Sequence, residues 1–247
     1  MRTTLKRGDK GTDVKQMQAA LVKHGFDCGE PDGKFGPNTE KWVKAFQKAN
    51  KLTANGIANE KTLIALGLIK LPKFVQPLNF KQYDSRWGSK MYSSHNDKKQ
   101  TMKNSGCGPT SMADIVARWW NSKETPYTLA QKAVAWGYRA YEGGTSRNFF
   151  KKCASYYKAK KYQVTSSIDT ARECLLAGGY VVVNFGTGTK GKPGYKKWTS
   201  GGHYCVMWKW DGDYFYINDP GSAASARAKG TRAEVLNARK AFCCFWK

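Results

Sequence analysis

Apolar residues recur at helical spacing in the first 68 residues of the chain. Thr12 or Asp13 is the expected N-cap of a first helix, a second helix is expected from Pro37, and a third from Asn59. The pattern predicts three short helices around one small core. The stripe residues are Val14, Met17, Gln18, Leu21 and Val22 in the first helix, Trp42, Val43, Phe46 and Ala49 in the second, and Leu63, Ile64 and Leu66 in the third.

Helical and strand patterns alternate from residue 78 onward. Asp169 is the expected N-cap of the last predicted helix, Gly178-Gly179 its stop, and Asp211-Gly212 a tight hairpin turn. Helices followed by an antiparallel sheet predict an α+β domain. The pattern predicts helices near 109–121, 128–136, 145–158 and 169–177, and strands at 180–186, 203–210, 214–218 and 241–246.

A short extended segment separates these two regions. Residues 69–77 are bracketed by Pro72 and Pro77, and proline favours an extended backbone. The predicted organisation is therefore a small helical domain over 1–68, a linker over 69–77 and a larger domain over 78–247.

Composition excludes a disordered chain but leaves a strong positive charge. The 247 residues are 40% hydrophobic, and 42 basic against 18 acidic residues give a net charge of +24. No apolar run approaches the roughly 18 residues that span a bilayer, and no apolar stretch follows the basic N-terminus. We therefore expect neither a membrane partner nor a secretory signal.

The positive charge favours an anionic partner. Nucleic acid, anionic lipid and an anionic polymer such as a bacterial wall all fit, as does a plain solvated surface. The sequence has no arginine-rich helix, no aromatic RNA-binding motif and no zinc-finger spacing, so nucleic acid is disfavoured. The seven cysteines include no C-x-x-C pair, which argues against a zinc ribbon.

One cysteine has the surroundings expected of a nucleophile. Cys107 lies between Gly106 and Gly108, and Pro109 suits the first turn of a helix. A helix N-terminus stabilises a thiolate through its free N–H groups and its partial positive charge. The flanking glycines are expected to let the backbone of a substrate approach closely.

A thiolate nucleophile needs a base, and the chain has three histidines. His24 ends a predicted helix of the small domain and His95 lies in a polar loop, so structural or surface roles are expected for both. His203 follows Gly201-Gly202 and opens a predicted strand. Such a strand, facing the helix N-terminus, predicts a Cys–His pair.

Two further groups complete the predicted site. Asn218 and Asp219 end the strand that returns beside His203, and strand alternation allows only one of them to orient the imidazole. Asp219 is the expected partner, with Asn218 as its rival. Gln82 lies 25 residues before Cys107 and is the candidate side-chain donor to an oxyanion.

The first 68 residues resemble the peptidoglycan-binding domain of bacterial and phage wall hydrolases. The resemblance implies a helical wall-binding domain, although most matching positions serve turns or the core. Trp42 stands where small residues are common in that family, and a core position is expected for it. The matching residues include Gly8-Asp-Lys-Gly11, Gln18, Leu21, Asp32-Gly-Lys-Phe-Gly36, Thr39, Phe46-Gln47 and Gly56-Ile57.

The larger region resembles the papain-like cysteine peptidases of the bacteriocin-processing type. The motifs occur in the family's order, and the resemblance covers most of 78–225. It implies Cys107 as nucleophile, His203 as base, Asp219 as orienting residue and Gln82 as oxyanion donor, with no cofactor and no metal. The motifs are Gln82-Tyr-Asp, Gly106-Cys-Gly-Pro-Thr-Ser111, Gly202-His-Tyr and Asn218-Asp-Pro220.

Together the two resemblances imply a peptidoglycan hydrolase similar to a phage endolysin. Such a protein would wait in the host cytoplasm until lysis, then act on the bacterial cell wall, where peptidoglycan and anionic wall polymers are its partners. A monomer is expected. An endopeptidase that cuts the stem peptide or cross-bridge, an N-acetylmuramoyl-L-alanine amidase and a non-catalytic wall-binding protein all remain open. A glycosidase lacks its carboxylate pair, and a metallopeptidase lacks H-E-x-x-H.

Overall fold

The computed structural model describes residues 2–141 and 143–247, which divide into two compact units. One unit ends at Leu71 and the other spans Pro72–Lys247. The Tyr180 hydroxyl donates to the Val75 carbonyl at 2.8 Å, and Gln76 Nε2 donates to Asn218 Oδ1 at 2.9 Å. The end of the segment predicted as a linker is therefore held against the second unit.

The first unit contains the three predicted helices. They are α1 (Thr12–Lys23), α2 (Pro37–Ala49) and α3 (Glu60–Ala65), and the strands β1 (Thr4–Leu5) and β2 (Ala58–Asn59) pair antiparallel beside them. Asn59, where the third helix was expected to start, caps α3 by accepting from the Thr62 N–H. Trp42 packs partly buried against the core, as predicted. The expected cap of α1 is wrong, since Gly11 holds the N-cap position and α1 begins at Thr12.

The second unit is built on one six-stranded antiparallel sheet. Its order is β5-β10-β6-β7-β8-β9, and the short strands β3 and β4 form a separate pair. The strands are β3 (Arg139–Ala140), β4 (Gly144–Thr145), β5 (Lys161–Thr165), β6 (Tyr180–Gly186), β7 (Gly202–Trp210), β8 (Tyr214–Asn218), β9 (Lys229–Thr231) and β10 (Arg239–Trp246).

Helices cover the sheet and build its main core. Side chains of α5, α6 and α7 pack against Val182, Tyr204, Val206 and Phe245, while α8 contacts β6, β7 and β10. The α+β prediction is confirmed. The helices are α4 (Met102–Ser105), α5 (Cys107–Trp119), α6 (Pro126–Ala135), α7 (Asn148–Tyr156), α8 (Ile168–Leu176) and α9 (Arg232–Ala238).

In the second unit, local sequence signals predicted most element boundaries correctly, with one wrong helix cap. Gly178, at a φ of 77°, follows the end of α8, and the β7–β8 hairpin turns at Asp211-Gly212, as predicted. Ser167, and not Asp169, caps α8, because its side chain accepts from the Thr170 N–H. Asp169 lies in the first turn and pairs with Arg232 instead. In the described part of the chain, no helix has the length and apolar character that a bilayer span requires.

Candidate active site

Cys107 is the first residue of α5. Gly106 precedes it as the N-cap, so the thiol stands at the end of the helix where backbone N–H groups lack intrahelical acceptors. It is half-buried, whereas the other six cysteines are buried. The helix N-terminus therefore presents one accessible sulfur in a field that favours its anion.

The glycines on either side of Cys107 have a packing role. A Cβ at Gly108 would lie 2.5 Å from Thr145 Oγ1, and one at Gly106 would lie 2.5 Å from the Met102 carbonyl oxygen. The space beside both residues is thus filled by the protein itself. This differs from the sequence expectation, which assigned that space to substrate.

His203 lies at the start of β7 and joins the thiol to a carboxylate. Its Nε2 and Asp219 Oδ1 are 2.7 Å apart, and the ring lines the same cleft as Cys107 and acts on the pKa of that thiol. Because Nε2 is engaged by Asp219, Nδ1 is the nitrogen left for the sulfur. The other histidines lie elsewhere: His24 contacts Phe46 in the first unit, and His95 contacts Tyr141.

The contacts of Cys107 and His203 favour a thiolate–imidazolium pair. Burial works against a charged thiol, but the hydrogen bond and charge of His203 hold the pKa of Cys107 below its ordinary value. Burial alone would lower the pKa of His203. Cys205 and the hydrogen bonds to Asp219 and Cys107 outweigh it and raise that pKa well above its ordinary value.

Asp219, and not Asn218, contacts the histidine. Asn218 points to the other side of the strand, where its Nδ2 donates to Asp114 Oδ2 at 3.2 Å. The Gly221 N–H also donates to Asp219 Oδ1 at 2.8 Å. A Cβ at Gly221 would lie 3.0 Å from His203 Cε1, so the loop after β8 fits closely around the ring.

Arg227 contacts the second oxygen of the Asp219 carboxylate. Its guanidinium nitrogen lies 2.6 Å from Asp219 Oδ2, a charge contact without hydrogen-bond alignment. Burial raises the pKa of Asp219, but the hydrogen bond and charge of His203, the charge of Arg227 and the Gly221 N–H together hold it below its ordinary value. Arg227 thus helps keep Asp219 ionised.

Gln82 is held against the loop after β8 but is not among the residues that line the cleft. Its backbone N–H donates to the Pro220 carbonyl at 2.9 Å, and its Nε2 donates to the Lys103 carbonyl at 2.6 Å. Its Oε1 is buried without a hydrogen-bond partner. One of the two Nε2 hydrogens of Gln82 is therefore engaged in this arrangement.

A polar cleft of about 390 Å³ opens over Cys107 and His203. It is close to the lower end of the size usual for small-ligand sites. Glycine backbones and amide or hydroxyl side chains form much of its wall. The lining residues are Asn104, Ser105, Cys107, Gly143, Gly144, Thr145, Asn184, Gly202, His203, Tyr204 and Lys240.

His203, Cys205 and Asp219 also offer a possible set of metal ligands. One ligand atom of each lies within 4.8 Å of the others. Two ligands of one tetrahedral zinc stand about 3.3 Å apart, given bond lengths near 2 Å. The 2.7 Å between His203 Nε2 and Asp219 Oδ1 is shorter and fits a direct hydrogen bond. The trio is arranged here as a hydrogen-bonded pair beside a buried thiol.

Two family models match the chain. The peptidase C39-like family matches residues 89–243, more than half of the sequence, and a peptidoglycan-binding domain family matches residues 10–66. The chain belongs to the peptidase C39-like family. The C39-like match covers the region with Cys107, His203 and Asp219, and the peptidoglycan-binding match lies within the first unit. The predicted combination of a peptidoglycan-binding domain and a cysteine-peptidase-like domain is thus confirmed.

Individual relatives match over limited spans. N-acetylmuramoyl-L-alanine amidase CwlL of Bacillus licheniformis is 38% identical over 73 residues, and the chain spans about a fifth of its length. The SleB N-terminal domain is 34% identical over 27% of this C39-like chain and 92% of that domain, with a TM-score of 0.27. A C39-like peptidase from Bacillus anthracis is 16% identical over 70% of this chain and 97% of that one, with a TM-score of 0.45.

Sequence reasoning missed several residues that surround the C39-like site. Arg227 follows Asp219 through an irregular loop, so no spacing rule connects them. Asp114 had a weak signal: it lies two helical turns after Cys107, as a lone carboxylate in the apolar stretch that became α5. A buried carboxyl group needs hydrogen-bond donors. In the structure, Asp114 accepts from the Phe80 N–H at 2.7 Å and from Asn218 Nδ2.

Proposed function

We propose that the protein is a peptidoglycan hydrolase that cleaves an amide bond in the stem peptide or cross-bridge of the bacterial wall. The observation that carries the proposal is an open polar cleft that brings together Cys107 at the N-terminus of α5 and His203, whose ring is hydrogen-bonded to Asp219. The peptidoglycan-binding match over residues 10–66 supports the choice of substrate.

The proposed reaction begins with acylation of Cys107. The Cys107 thiolate attacks the carbonyl carbon, a C–S bond forms, and the negative charge moves to the carbonyl oxygen. The backbone N–H of Cys107 is the first proposed donor to that oxyanion. Gln82 is the second: the Lys103 carbonyl accepts from one of its two Nε2 hydrogens, and the other is left to donate. As the C–N bond breaks, imidazolium His203 gives its proton to the leaving amine.

Hydrolysis of the thioester restores the site. Neutral His203 takes a proton from water, the hydroxide attacks the thioester carbonyl, and the C–S bond breaks. The products are a free carboxylic acid and the thiolate–imidazolium pair. Asp219 keeps Nε2 engaged throughout, so that Nδ1 faces the sulfur in both half-reactions. These steps use no metal and no cofactor.

The first unit and the net charge of +24 support action at the wall. A peptidoglycan-binding domain would concentrate the enzyme on its polymer, and anionic wall polymers would attract the basic surface. We propose a monomer that stays in the host cytoplasm until lysis and then acts on the wall, as phage endolysins do.

An amidase is the alternative, because the match to amidase CwlL includes 73 residues of the chain. Mass spectrometry of muropeptides from purified walls separates the two activities. We expect new amino groups within stem peptides or cross-bridges. Intact stem peptides released from the glycan would instead establish the amidase. Walls left uncut by the folded protein would favour the third reading, a non-catalytic wall-binding protein.

The Asp219 contacts predict opposite pH shifts for two variants. Activity falls at alkaline pH when imidazolium His203 loses its proton, and a negative Asp219 opposes that loss. Asp219→Asn should move the alkaline limb of kcat/KM about one pH unit down, since one unit is ~1.4 kcal/mol. Arg227→Gln removes a positive charge near the His203 ring, so the alkaline limb of kcat/KM should move to higher pH. Equal profiles, or shifts in one direction, would contradict these roles.

A further inference from the structure

The cleft beside His203 contains a lysine that a β-bulge places there. In the β10–β6 pair, Arg239 lies opposite Phe185 and Ala241 lies opposite Asn184. Lys240 is thus the extra residue of a bulge. An inserted residue breaks the alternation of side chains and re-aims the one it adds, and such bulges are frequent next to active sites.

Two glycines leave room for this lysine to cross the sheet. A Cβ at Gly186 would lie 2.6 Å from Lys240 Cε, so the aliphatic stem occupies the space over β6. A Cβ at Gly202 would lie 3.9 Å from Lys240 Nζ. Gly202 directly precedes His203, so the ammonium group lies over the backbone next to the base.

The charge of Lys240 has no counterpart in the described cleft. Lys240 is exposed, and it is the single lysine or arginine among the described lining residues, which contain no carboxylate. Across residues 2–141 and 143–247, no carboxylate forms a salt bridge with it. Asn184, across from the bulge, adds an amide group to the same wall. This wall of the cleft therefore presents the Lys240 ammonium group and the Asn184 amide, which can both bind an anion.

We propose that Lys240 and Asn184 form a subsite that binds a free carboxylate of the peptide substrate, close to the amide bond that is cut. The inference rests on the proposed function and narrows its substrate class to peptides with an unamidated acid near the scissile bond. The ammonium supplies charge and the Asn184 amide a directed donor. The carboxylate is bound in the ground state and in the transition state alike, so its loss should raise KM and leave kcat nearly unchanged.

Paired muropeptides test the proposal. The two members differ only in that one carries the free carboxylate and the other a carboxamide. Wild type should prefer the acid by about fivefold in kcat/KM, the effect expected of an accessible ion pair. Lys240→Met should lose the preference through KM, and Lys240→Arg should retain it. Lys209→Met, which removes a lysine that lies over Tyr216 outside the cleft, is the matched control and should behave as wild type.

A second measurement needs no wall substrate. Cys107 is alkylated with anionic iodoacetate and neutral iodoacetamide, and the ratio of the two rates is compared between proteins. Lys240→Met should lower that ratio about threefold to fivefold, while Lys209→Met should leave it unchanged. Taking the ratio cancels changes in thiolate content, because both reagents react with the same sulfur.

The outcomes separate the subsite from the proposed function. If wild type cuts both muropeptides and Lys240→Met has the same preference as wild type, the subsite is overturned. The proposed hydrolase function is then retained. Wild type that cuts neither would overturn the hydrolase, and the alkylation ratio would then decide the subsite alone. If the ratio of iodoacetate to iodoacetamide rates is the same in Lys240→Met as in wild type, the subsite is overturned. If the ratio is lowered in Lys240→Met and not in Lys209→Met, the subsite is supported.

Discussion

Replacing Cys107 with alanine is expected to abolish wall lysis while the protein stays folded. The sulfur supplies the bond of the covalent intermediate, and no other cysteine lines the cleft in the described part of the chain. Loss of a covalent nucleophile lowers kcat by roughly 10³–10⁶-fold. Cys107 lies half-buried at a helix end, so trimming it to alanine leaves the core intact.

The measurement compares wild type with two alanine variants. Cys153→Ala is the matched control, because Cys153 is fully buried in the core of the same unit. Turbidity of purified walls gives activity, and circular dichroism and thermal unfolding report the fold. Cys153→Ala should lyse walls, and Cys107→Ala should not.

Alkylation and chelation complete this test. Iodoacetamide should label wild type at Cys107 and inactivate it, and EDTA should leave activity unchanged. A folded Cys107→Ala protein that still lyses walls would exclude the thiol mechanism. Activity lost in EDTA and restored by zinc would point to the metal-binding potential of His203, Cys205 and Asp219.

Strong local signals explain what the sequence predicted well. The apolar stretch after Cys107 became α5, Tyr180-Val-Val-Val183 became part of β6, and Asp211-Gly212 formed the hairpin turn that returns Asp219 to His203. With few histidines, the choice of base needed only the strand position of His203. These features depend on neighbours in sequence, which a pattern can reveal.

The missed elements lack such signals. β5 is mostly polar and has no fully buried residue, and α9 contributes only Val235 and Ala238 to the buried interior, so neither has a clear apolar stripe. The choice between Asn218 and Asp219 depended on the face each residue occupies at the end of β8, and residue spacing alone left both open. Lys240 reaches the cleft through a bulge, and a bulge changes the period on which strand prediction rests.

The buried side chain of Asp114 connects three segments of the proposed site through hydrogen bonds. Asp114 lies in α5 two turns after Cys107, and its carboxylate accepts from the Phe80 N–H and from Asn218 Nδ2. Phe80 precedes Gln82, and Asn218 precedes Asp219. Burial raises the pKa of Asp114 to about 7, against the lowering effects of these two bonds and of the Lys81 charge. Asp114 therefore takes up a proton at a much higher pH than an ordinary carboxylate does.

Asp114→Asn is expected to remove a pH dependence of stability. The folded pKa is raised above the unfolded value near 4, so the folded state binds the extra proton between about pH 4 and pH 7. As the pH rises from about 4 to about 7, the wild-type free energy of unfolding should fall by up to about 4 kcal/mol relative to that of the variant. Above pH 7 the difference between the two proteins should stay constant. The asparagine cannot ionise. Its Nδ2 would face Asn218 Nδ2, which costs about 1–3 kcal/mol at every pH.

The two proteins should therefore change order with pH. Wild type should be more stable than Asp114→Asn near pH 4.5, and equal or less stable near pH 8. Guanidinium unfolding followed by tryptophan fluorescence reports the second unit, because every tryptophan except Trp42 lies in it. Subtracting the variant's curve removes the contributions of Asp219 and other carboxylates, which are common to both. Parallel curves from pH 4.5 to 8 would show that Asp114 is ionised throughout, and that its bonds to Phe80 and Asn218 hold the segments of the site together as a charged group.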